Sequence, residues 1–268
     1  MTKFLLAFGA FTLATPVWAT QAQDLSDALR MSEVIAIMQE EGLAYGNVLA
    51  TEMLPSGPND AWAKTVEQIY DADTMLASVN AAFEAALEGE DIGPLLEFYS
   101  TDTGTQIIDL ELEARAAMVD EDVEESAREV YRGLDGTDDV RLAQISEFIA
   151  ANDLIESNIA GGLNATLQFY VGLNDGGAFQ MTESEILSDV WAQEPDVRLD
   201  TREWVYAYLL LAYGPLDDDQ LDGYIEMSRS PAGQAMNQAL FKAFNGMYDT
   251  LSYAMGRAIA DHLMAMDL

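Results

Sequence analysis

From Leu25 to about Ala265, apolar residues recur at three- and four-residue spacing almost without a break, the period of an amphipathic α-helix. Leu25, Ala28, Leu29, Val34, Ile35 and Met38 mark a first helix, which Gly42 is placed to stop. Pro55-Ser56-Gly57-Pro58 is a turn, and Asn59 or Asp60 can cap the next helix. Trp62, Val66, Ile69 and Tyr70 then share a face that Met75, Leu76, Val79, Phe83 and Leu87 continue. After Glu88-Gly89-Glu90, Asp91 caps a short helix through Phe98 and Tyr99, and a longer one runs from Thr101–Thr103 to about Val119. A charged helix covers Glu121 to Leu134.

Asp135-Gly136-Thr137-Asp138 is the clearest internal boundary, and beyond it the pattern restarts. Leu142 to Ile149 mark one helix, and Ile159 to Val171 another, interrupted by Gly161-Gly162. Thr182 with Glu185 predicts a capping box. A very apolar helix covers Trp204 to Tyr213, Asp217 to Asp219 open the next, and Ser230-Pro231 open the last. Residues 74–118 align without gaps on 203–247. Met31 to Ala36 resemble Ile145 to Ala150 at an offset of 114, which places an insertion of about fifteen residues in the second copy. The reading is an all-α, internally duplicated helical bundle of two related halves with about five helices each, at 23–136 and 137–268.

Composition changes this picture in three places. Lys3, the apolar stretch Phe4–Leu13, Pro16 and small residues at Ala19 and Ala22 form the tripartite pattern of a secretory signal over 1–22. The expected location is therefore periplasmic or secreted, with no membrane span in the mature form. The absence of cysteine removes disulfides, thiolate metal sites and a thiol nucleophile. The 47 acidic against 12 basic residues, a net charge of −35, leave no basic footprint for nucleic acid and repel an anionic membrane surface. Yet half the residues are apolar, so the acid is a solvated coat on a folded protein.

Phe98-Tyr99-Ser100-Thr101-Asp102-Thr103-Gly104 and Met227-Ser228-Arg229-Ser230-Pro231-Ala232-Gly233 resemble the F-Y-x-T-P-x-G signature of a bacterial exported family, domain of unknown function 2059. The first copy has Asp102 in place of the proline, and the second keeps Pro231 without the aromatic pair. The resemblance implies a helical secreted domain and carries no catalytic residue with it. Read physically, each copy is a tight corner between helices. Thr101 or Ser230 caps the second helix, Pro231 sits where its missing N–H costs nothing, and Gly104 or Gly233 lets a backbone approach.

Recognisable chemistry is sparse. His262 is the sole histidine and has no nucleophile near it in sequence. The acidic runs at Asp120–Glu125 and Asp217–Asp222 match no calcium loop, and no phosphate loop or nucleophile elbow is present. No metal or cofactor is expected. What distinguishes the halves is size: Trp204, Tyr208 and Tyr224 stand where the first copy has Met75, Val79 and Leu95. Larger rings there either refill a core or border a new cavity. The reading is a non-enzymatic envelope module binding a protein or an apolar ligand at Trp204, Tyr208 and Tyr224. A hydrolytic enzyme using carboxylates or a divalent cation and a purely structural protein are the alternatives.

Overall fold

The computed structural model describes residues 17–266. The signal-like segment Lys3–Leu13 lies outside the described residues. Among the described residues there are thirteen helices and no strand. In chain order they are α1 (Val17–Ala28), α2 (Met31–Met53), α3 (Asp60–Ile69), α4 (Ala72–Ala86), α5 (Gly93–Tyr99), α6 (Asp102–Ala117) and α7 (Glu121–Leu134). After the Asp135–Asp139 loop come α8 (Val140–Ala151), α9 (Leu154–Asp175), α10 (Glu183–Ala192), α11 (Glu194–Tyr213), α12 (Asp218–Arg229) and α13 (Pro231–Met266). The two sides of that loop hold seven and six helices against about five expected of each; on the first side, stripes that read as continuous are broken.

The first break is at Arg30, which adopts a left-handed conformation (φ 52°) and separates α1 from α2. Its guanidinium is held by Glu33 and Asp109, ion pairs that offset a backbone conformation L-residues avoid. Tyr70-Asp71 is the second break, where the Asp71 carboxylate caps α4 by accepting from the Thr74 N–H at 2.9 Å. Two glycines do the opposite of what their pattern suggests. Gly42 ends nothing: α2 continues to Met53, and Gly42 makes room for the Tyr70 ring. Likewise α9 runs unbroken through Gly161-Gly162, with Asn245 seated against Gly161. Further along, a Cβ on Gly172 would overlap the Tyr253 carbonyl and one on Gly256 the Phe169 carbonyl, so α9 and α13 cross backbone to backbone. Asp91 is not the cap of α5. Ile92 holds that position, and Asp91 accepts from the Gly93 N–H at 3.2 Å.

The other caps form as their chemistry dictates. Asn59 accepts from the N–H groups of Ala61 and Trp62, and Thr182–Glu185 and Asp217–Gln220 are capping boxes. At the two corners, the N–H of Gly104 donates to Thr101 Oγ1 and that of Gly233 to Ser230 Oγ, each at 3.0 Å. A Cβ at Gly104 would overlap the Phe98 carbonyl oxygen and lie 2.7 Å from Tyr99 Cα. One at Gly233 would overlap the Met227 carbonyl oxygen and lie 2.9 Å from Ser228 Cα. The glycine thus accommodates the same atoms of the preceding helix at both corners.

Asp153 repeats the left-handed break of Arg30 (φ 50°) between α8 and α9, 123 residues further on. The starts of α2 and α9, Met31 and Leu154, are likewise 123 residues apart. Burial keeps this register: Ala22, Leu25, Ser26 and Leu29 are buried, and so are Ile145, Phe148, Ile149 and Asn152. α11 has 20 residues against 15 in α4.

Helices of each half also reach across to the other. α6 lies on α11 of the other half, and α13 lies on α4. A shared apolar core results, in which Trp62, Phe83, Leu95 and Ile107 join Ile145, Tyr213, Leu221 and Met255, with two smaller apolar clusters beside it. α7 is fastened to α11 by stacking of Tyr131 on Tyr206 (4.7 Å) and by Arg128, which pairs with Glu124 of its own helix and Asp200 of α11. His262 sits half-buried with its ring edge-on to Trp62 at 5.2 Å.

Candidate functional site

A cavity of about 560 Å³ opens along the seam where both halves contribute helices. That is the size of ordinary small-molecule sites, ~300–1,000 Å³. On α11, Trp204 and Tyr208 are four residues apart and so share a face; their rings stack at 5.2 Å and 11°. α13 lays down the opposite wall at helical spacing, with Leu240, Phe241 and Phe244 apolar and Asn237, Asn245 and Tyr248 polar. Val34 and Met38 of α2 and Ala165 of α9 close the sides. These rings are half-buried rather than buried, because the cavity leaves part of each without a protein neighbour.

Arg115, near the end of α6, is the one charged residue on this wall. Its Nε and Nη2 donate to the two carboxylate oxygens of Glu41 at 3.2 and 2.7 Å, a bidentate fork. Burial pulls its pKa down, but the surrounding Tyr248 and Glu41 outweigh burial and raise it, so the guanidinium stays charged. Glu41 itself faces a second cavity of about 260 Å³, which shares Met38, Ala165 and Tyr248 with the first. The ion pair therefore stands at the junction of the two spaces.

Tyr224 is not on the cavity wall. It is in the core, its ring stacked against Phe98 at 5.7 Å, and its hydroxyl donates to Glu111 at 3.1 Å. The Tyr213 hydroxyl donates to the same carboxylate oxygen at 2.6 Å, and the Tyr208 hydroxyl to the Glu111 backbone carbonyl at 3.1 Å. Burial raises the pKa of Glu111, and the two tyrosine donors partly oppose it. The cluster ties α6 to α11 and α12 and fixes Tyr208 from behind. Glu111 lines none of the cavities described; its carboxylate holds Tyr213 and Tyr224, and its backbone carbonyl holds Tyr208. Of the corner residues, Tyr99 joins this cluster with its hydroxyl 3.5 Å from that of Tyr224, while Thr101, Gly104, Ser230, Pro231 and Gly233 serve the helix junctions.

Sequence reasoning misses Arg115, Glu41 and the α13 wall. A signal does exist in α13: Asn237, Asn245 and Tyr248 interleave with Leu240, Phe241 and Phe244 on one face, a polar–aromatic mixture unlike a sealed core stripe. Among the described residues no group of three or more acidic or histidine side chains is arranged to hold a metal, and no helix is long and apolar enough to cross a membrane.

The fold and cavity define an all-helical protein with an interhelical pocket. Residues 73–132, which span α4 to α7, match the model of a family described as an uncharacterized protein conserved in bacteria, DUF2059. That stretch includes the Phe98–Gly104 corner, Glu111 and Arg115. No curated protein and no solved structure matches the chain.

Proposed function

We propose that this chain is an exported, non-catalytic binding module that holds an apolar ligand in the seam cavity. One observation carries the reading. The protein has 47 acidic residues, yet among the described residues none lines the 560 Å³ cavity, whose wall is aromatic, aliphatic and amide with a single arginine. A surface coat that acidic gives way to an acid-free, partly unfilled aromatic wall where a ligand replaces missing packing contacts. The hydrolytic alternative needs a carboxylate on that wall, and the raised carboxyl of Glu111 lies elsewhere.

The test uses the mature protein and a neutral naphthylamine dye that fluoresces in apolar sites. Saturable binding at one site per chain, with energy transfer from tryptophan that Trp204→Phe strongly reduces, is the expected result. Non-saturating binding, or transfer indifferent to Trp204, removes the reading.

The matched corners and left-handed breaks support descent of the two halves from one duplicated unit. Export is part of the same proposal, and α1 bears on its processing. Ala22 and Leu25 are buried in the core, so cleavage after Ala19 leaves α1 its buried face, whereas cleavage after Ala22 removes a core residue. Intact mass of the secreted protein is expected to place Thr20 first; a mass that retains Phe4–Leu13 overturns the export reading.

A further inference from the structure

We infer that the cavity takes a single-chain carboxylate amphiphile whose head group displaces Glu41 from Arg115 and whose tail lies against Trp204, Phe241 and Phe244. The inference rests on the binding role proposed above and names the ligand class.

Three features of the site point the same way. First, Arg115 is the sole charge on the cavity wall, and the group already on it is a carboxylate in bidentate geometry. Glu41 thus shows which head group the guanidinium fork fits in this setting. Second, the side chain of Glu41 is one-third exposed and sits on the far side of Arg115, at the smaller cavity. It has somewhere to go: rotated outward, it recovers water as the ligand head takes its place, so one carboxylate is exchanged for another at no net change in buried charge. Third, the two cavities share Met38, Ala165 and Tyr248, so moving Glu41 joins about 260 Å³ to about 560 Å³ along the groove. An elongated guest suits connected spaces better than a compact one. A phosphate head fits less well, because it brings close to two negative charges to one arginine in a chain of net charge −35.

Competition against the naphthylamine dye decides the matter with dodecanoate, dodecanol and dodecyl phosphate as probes at neutral pH. Dodecanoate is expected to displace the dye at a concentration at least tenfold below that of dodecanol. Glu41→Gln removes the internal competitor and is expected to tighten dodecanoate several-fold while leaving dodecanol unchanged. Arg115→Gln is expected to erase the tenfold preference with dodecanol affinity retained, and dye binding in that variant reports that it is folded. Equal potency of dodecanoate and dodecanol, or dodecyl phosphate as the tightest probe, overturns the head-group assignment but not the apolar cavity. Weaker dodecanoate binding in Glu41→Gln overturns the exchange. If no probe displaces the dye, the binding role itself falls, and this inference with it.

Discussion

Replacing Glu111 separates two things that its burial combines, an acceptor and a charge. Its carboxylate takes hydrogen bonds from Tyr213 and Tyr224, both core residues. Glu111→Leu removes the acceptor and strands two hydroxyls, each worth about 1–3 kcal/mol when left unmet. Leucine regains some apolar burial, so the net loss at pH 5 is about 2–4 kcal/mol, or roughly 5–15 °C in Tm for a chain of this size. Glu111→Gln keeps the acceptor and removes the charge. Burial holds the Glu111 pKa above its unfolded value, so the folded protein binds that proton more tightly than the unfolded chain does. This contribution is fully present below the unfolded pKa and is lost as pH rises through the folded one. Wild type and Glu111→Gln are therefore expected to be similar at pH 5, and the glutamine variant the more stable at pH 8. Urea unfolding followed by far-UV dichroism at both values measures this. A glutamine variant less stable than wild type at pH 8 shows that the ionised carboxylate contributes to stability, and the assignment of Glu111 as a buried acceptor at a charge penalty is then wrong.

Three further outcomes are expected. Gly104→Ala and Gly233→Ala each push a Cβ into a backbone carbonyl and should lower stability by a similar amount, about 1–3 kcal/mol; thermal melts that differ widely between the two would mean the corners are not equivalent. Residues 20–136 and 137–268 made separately should each lack cooperative unfolding, since α4 is left without α13 and α11 without α6; two sharp independent melts would contradict this. Added sodium chloride should raise Tm, because screening over ~10 Å at 0.1 M weakens repulsion in a chain of net charge −35; a flat profile would mean the carboxylates are already well spaced or paired.

Legibility in the sequence divides along the range of the interactions concerned. Helix content and the caps at Asn59, Thr101, Thr182, Asp217 and Ser230 depend on residues within one turn and are legible. The break at Arg30 is not, because an arginine in the left-handed region leaves no compositional trace and is held there by Asp109, far along the chain. Gly42 and Gly161 mislead for the complementary reason: whether a glycine ends a helix or admits a neighbour depends on what crosses it, here Tyr70 and Asn245. The size difference between halves directs attention to Trp204 and Tyr208, which line the cavity, but equally to Tyr224, which belongs to the core because Glu111 offers its hydroxyl a partner. Glu41 is invisible as one acid among 47; only its distance to Arg115 sets it apart.

The packing of α13 on α4 also sets a clock. α4 is complete at Ala86, but the helix that covers it ends only at Met266. At ribosomal speeds of about 5–20 residues per second, that wait is on the order of 9–36 s. Throughout it α4 has α1 and α2 beside it, but the side that α13 covers stays open. A chain built this way completes its shared core only once α13 has been made, however early its other helices form.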